Sequence, residues 1–166
     1  MRRKLRKALE LSWKEAMKAE FPDFAPYKAE TMPETFSCWR GKIGVLTCFV
    51  TLHPHTKDDV FAIDLAWSVH GFLSPDDTLQ PEGAEEIRLA RLWTTSTFDP
   101  WWEIVPRESW EEMNKRIDEG RFFREEVPIE ECLVKVPILV RDAIEKLKQY
   151  GIPFFMAKAQ AAVATT

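Results

Sequence analysis

A chain of 166 residues with 45% hydrophobic content is long enough to bury one core and too short to need a second. Its 30% charged residues, 12% aromatics and only 6 glycines exclude a disordered or low-complexity chain. No apolar run approaches the ~20 residues of a membrane-spanning helix. The basic start Met1-Arg2-Arg3-Lys4-Leu5-Arg6-Lys7 is not followed by the apolar stretch of a secretion signal, so a single cytoplasmic domain over 1–166 is expected.

Leu5, Leu9, Trp13, Met17 and Phe21 recur every four residues, which predicts an amphipathic helix over 1–21, ended by Pro22. Five basic residues at its start oppose the positive end of the helix dipole and predict a frayed first turn. The stretch Pro22 to Pro33 has no consistent period and reads as an extended connection to a sheet region over 35–94. Phe36 to Arg40 and Val45 to Leu52 flank Gly41-Lys42-Ile43-Gly44, a hairpin pattern. In Val60 to Val69, Phe61, Ile63, Leu65 and Trp67 alternate with Ala62, Asp64, Ala66 and Ser68, as a strand with one apolar face requires.

Pro75, Asp76-Asp77 and Pro81 predict a long irregular loop between Gly71 and Gly83, and Ile87 to Trp93 is expected to return to the sheet with blurred alternation. A helical region follows over 107–156. Ser109-Trp110-Glu111-Glu112 matches a capping box, with Trp110, Met113 and Ile117 at helical spacing and Gly120 as the stop. Ile129 to Tyr150 reads as a helix broken or kinked at Pro137 and closed by Gly151 and Pro153, with 157–166 a frayed tail. The fold class expected is α+β: an antiparallel sheet of about four strands with N- and C-terminal helices on one face.

Charge is unevenly spread. Residues 76–131 hold 16 of the 27 acids and 7 of the 23 Lys and Arg, a net of -9, which speaks against nucleic acid as the principal ligand and for a basic partner. Within that stretch Asp99-Pro100-Trp101-Trp102-Glu103 sets two adjacent indoles among acids. Tryptophan is enriched at binding hot spots, so Asp76, Asp77, Asp99, Trp101, Trp102 and Glu103 form the candidate partner-binding surface. The alternative for the indoles is that both cover an open end of the core.

His53-Pro54-His55, near Asp58 and Asp59 and with His70 as a further ligand, is the one pattern pointing to a metal-assisted hydrolase, because histidines two apart on an extended segment can share a cation. A solvated loop after a strand is the plainer explanation. Cys38, Cys48 and Cys132 lack C-x-x-C spacing and lie in apolar runs, so they read as packed free thiols of a reducing compartment. There is no G-x-S-x-G turn and no Gly-rich phosphate loop. No catalytic residue, metal or cofactor is assigned, and neither nucleic acid nor membrane is expected as a partner.

The arrangement Phe36-x-x-Trp39-Arg40-Gly41, Leu52-His53-Pro54-His55, Phe61-x-Ile63-x-Leu65-Ala66-Trp67-Ser68, then Arg88, Leu92 and Trp101-Trp102 resembles uncharacterised bacterial α+β domains of unknown function. Some relatives of that kind are regarded as immunity proteins of polymorphic toxin systems. The resemblance spans about residues 27–105. It implies a small soluble inhibitor that neutralises a protein partner such as a nuclease, and it carries no catalytic motif across.

Overall fold

The computed structural model describes residues 1–28, 36–69, 71, 85–94, 101–123 and 126–164. Helix α1 (Arg3–Glu20) is followed by strands β1 (Ala25–Tyr27), β2 (Ser37–Ile43), β3 (Leu46–Pro54), β4 (Val60–Ser68) and β5 (Glu85–Arg88). Then come a 3-10 turn at Leu89–Leu92, the short β6 (Trp102–Glu103), α2 (Trp110–Asp118) and α3 (Ile129–Lys146). A π-helical turn at Leu147–Gly151 joins α3 to α4 (Ile152–Ala164).

The sheet is antiparallel in the order β1-β2-β3-β4-β5, and β6 pairs with the early part of β4. It therefore has six strands where about four were expected. The two extra ones, β1 and β6, have three and two residues and are too short to show a period. The hairpin differs in detail from its sequence pattern. β2 runs on through Gly41 to Ile43, and the reversal is made by Gly44 and Val45 alone. Gly44 takes φ +58 at the first central position, the pattern of a type II′ turn. Within the strand, Gly41 leaves room for the Phe24 ring, which lies 2.7 Å from where a Cβ would stand.

The period-two reading of β4 holds, and β3 alternates in the same way. Cys48, Val50, Leu52, Phe61, Ile63, Leu65 and Trp67 face Leu5, Leu9, Trp13 and Met17 of α1 and Cys132, Val136, Val140 and Ile144 of α3 in one core. The opposite face is not bare. Phe49, Ala66 and Cys38 form a second buried cluster with Tyr27 and Phe36 packed on it.

Two helix ends depart from expectation. The first turn of α1 is anchored rather than frayed, because Asp59 supplies the negative charge that this turn lacks. One carboxylate oxygen accepts the Arg2 amide at 2.8 Å and the other the Arg2 Nε at 2.7 Å. The same guanidinium donates to the Val127 carbonyl at 2.6 Å and to Cys132 Sγ at 3.0 Å, tying α1 to the start of α3. Gly151 and Pro153 do not end the helical region either. The chain widens into a π turn there and continues as α4 to Ala164, with Phe155 and Ala159 buried. Pro137 and Pro153 are both accommodated inside this continuous helical run.

Candidate functional site

Of the six candidate partner-binding residues, the structure describes Trp101, Trp102 and Glu103, and their surroundings differ. Asp76, Asp77 and Asp99 lie outside the described residues, as does His70. Trp102 belongs to the core rather than to a surface. Pairing of β6 with β4 sets it across from Phe61, where the rings stack at 5.6 Å and 12°, and its indole N–H donates to Asp142 at 2.8 Å. With 8% exposure it has no face left for a partner. Glu103 folds back on Arg107, accepting from its Nε at 2.8 Å and from its amide at 3.1 Å.

Trp101 is half-buried and closes a polar cluster on the sheet face away from the helices. Asp64 on β4 stands directly across the ladder from Arg88 on β5, with Arg88 Nε 3.0 Å from one carboxylate oxygen. His53, diagonal to Asp64 on β3, brings Nδ1 to 3.1 Å from the other oxygen. The Trp101 ring lies 4.5 Å from the Arg88 guanidinium carbon and presents edges to His53 and His55 at 5.5 and 5.2 Å. Asp64 thus orients His53 through Nδ1, while His55 Nδ1 accepts the Asp58 amide at 3.0 Å. Among the described residues neither imidazole is hydrogen-bonded to a serine or cysteine. Nor do three or more His, Cys, Asp or Glu side chains converge there as a metal set. What the geometry does is hold Trp101 over a neutralised Asp64–Arg88 pair.

The capping-box helix, by contrast, lies turned outward. Ser109 Oγ accepts the Glu112 amide at 3.2 Å and Glu112 returns a carboxylate oxygen to the Ser109 amide at 2.8 Å, so the sequence signature and the geometry agree. Yet α2 buries none of its residues. Its charged side, with Glu112, Lys115, Arg116 and Glu119, lines a groove toward Val127. On its apolar side Met113 is half-buried, while Trp110 is 77% exposed and Ile117 42%, and Phe122 and Phe123 beyond the Gly120 stop are 72% and 89% exposed. These three aromatics are the only exposed ones among the described residues. The excursion starts and ends at the foot of α1, since Ile104 and Val105 donate to the Asp59 carbonyl and Arg2 holds Val127.

No protein-family model, curated protein or solved structure matches the chain. The outward aromatics were missed by sequence reading because Trp110, Met113 and Ile117 sit at the spacing of a core-facing stripe, and spacing does not say which way a helix is turned. The available signal was Phe122-Phe123, two residues past the Gly120 stop in an acidic segment.

Proposed function

We propose that this chain is a small binding protein, of the inhibitor or immunity type, that engages a basic protein partner through the outward face of α2. The observation that carries this reading is the inverted amphipathicity of that helix. A nine-residue helix is marginal in water on its own, and one that spends its cap and ion pairs to present Trp110, Ile117, Phe122 and Phe123 to solvent gains nothing from them within its own fold. Exposed apolar groups rimmed by charge are what interfaces look like before the partner arrives.

The partner's sign follows from the rim. Residues 103–131 hold ten acids against five bases, and Glu111 and Asp118 flank the Trp110–Ile117 side. Asp76, Asp77 and Asp99 add to the same charge along the chain. In this reading the indole and phenyl rings supply affinity and the acids steer encounter.

Capture from a lysate of the source cell tests it, with wild type and a Trp110→Ala/Phe122→Ala/Phe123→Ala variant immobilised in parallel. A basic protein retained by wild type, shed at high salt and not retained by the variant is the expected result. Identical retention by both would reject the α2 face as the binding surface.

A further inference from the structure

The chain also carries the complement of this surface. On α1, Leu5, Leu9, Trp13 and Met17 point into the core, which turns Lys4, Lys7, Leu11, Lys14 and Lys18 outward as one stripe. All five are exposed, Leu11 at 58%. The first 18 residues hold seven bases against two acids, a net of +5 that mirrors the net of -5 over residues 103–131. An isolated aliphatic side chain in a basic stripe thus faces outward on one helix, and an indole and an aliphatic side chain flanked by acids face outward on another.

We infer that the outward face of α2 docks on the outer face of α1 of a second copy of this chain. Within one molecule the two faces do not meet, because both are exposed although the arm is rooted at the start of α1 through Arg2 and Asp59. The lengths match. The stripe from Lys4 to Lys18 is about 21 Å long and α2 about 13 Å, so the whole arm helix fits along it. Because each copy carries both surfaces, two copies related by a two-fold axis satisfy both pairs at once and the assembly closes as a dimer.

Trp110 and Ile117 packing on Leu11 provide the apolar centre, and Glu111 and Asp118 facing the lysines set the register. Exposed ion pairs contribute little affinity singly, so the rings and the leucine carry the contact and the charges select it. This rests on reading the outward α2 face as a recognition surface, and it adds regulation: the dimer covers that surface, and a basic partner binds by displacing the second copy.

Sedimentation equilibrium of the full chain, from micromolar to submillimolar concentration, reads this directly. At low salt the mass should rise from the 19.4 kDa monomer toward twice that value, and high salt should reverse it. Leu11→Glu should weaken the dimer at least about tenfold. The pair Lys7→Glu/Lys14→Glu and the pair Glu111→Lys/Asp118→Lys should each leave a monomer with an unchanged melting midpoint, and mixing the two proteins should restore dimer. A wild type that stays monomeric throughout, or a dimer indifferent to these changes, overturns the inference. The Lys7→Glu/Lys14→Glu protein keeps its α2 face, so its capture of a basic partner separates failure of the dimer from failure of the binding reading.

Discussion

Arg116 grips both carboxylate oxygens of Glu108, Nε to one at 2.8 Å and Nη2 to the other at 2.9 Å, while its Nη1 donates to the Arg121 carbonyl at 2.7 Å. One side chain therefore joins the residue before the capping box to the residue after the Gly120 stop, bracing α2 at both ends. Arg116→Ala is predicted to abolish hydrogen-exchange protection of the α2 amides. Since α2 has no fully buried residue, the global melting midpoint should barely move. Ser109→Ala should weaken the same helix by about 1 kcal/mol, again seen in exchange at Glu112 and Met113 rather than in global denaturation.

The adjacent tryptophans are predicted to differ. Trp102→Ala removes a ring stacked on Phe61 and edge-on to Trp93 at 6.0 Å, and should cost about 3 to 5 kcal/mol. Trp101→Ala removes a half-exposed ring and its contact with the Arg88 guanidinium, for about 0.5 to 2 kcal/mol. Chemical denaturation of both variants decides it, and equal losses would mean that Trp102 is not the buried one.

Gly151→Ala should be destabilising by about 1 to 2 kcal/mol, against the usual gain from removing a helical glycine. A Cβ there would stand 2.6 Å from Leu147 Cδ1, 3.2 Å from Leu89 and 3.4 Å from Leu65, three fully buried leucines that have little room to yield. A raised melting temperature in the variant would contradict this close approach of the π turn to the sheet.

Burial pushes the Cys38 thiol up to about 11, against weaker opposition from Thr51, and the Cys48 thiol up to about 12. Both groups ionise more readily in the unfolded chain, near their ordinary value of 9. Their contribution is therefore intact below that pH, and stability is lost as pH rises from about 9 through the folded values. Correspondingly, a thiol reagent should find none of the three buried cysteines in the native protein and all three in denaturant. Rapid labelling at neutral pH without denaturant would refute the burial.

Much of the fold was legible because burial imposes a period. Leu5 to Phe21 and Phe61 to Trp67 announced a helix and a strand, and their faces are as the alternation requires. The blurred stretch Ile87 to Trp93 was blurred for a physical reason: it is a strand to Arg88 and a 3-10 turn from Leu89. The anchoring of α1 was illegible because its partner, Asp59, is 57 residues from Arg2. The site was legible only in part. Trp101-Trp102 signalled an unusual segment, but which indole is buried depends on the two-residue pairing of β6 with Phe61. The outward turn of α2 is not encoded in its apolar spacing, which is that of a core-facing stripe.

The most direct test of the central claim, that the outward face of α2 is a recognition surface for a basic partner, is the association and dissociation kinetics of the captured partner by surface plasmon resonance. Glu111→Lys/Asp118→Lys should lower the association rate and flatten its dependence on salt, with the melting midpoint unchanged. Trp110→Ala should raise the dissociation rate instead, since an anchor ring acts after encounter. A partner whose two rates are indifferent to salt, to both charge reversals and to loss of Trp110 would contradict the account.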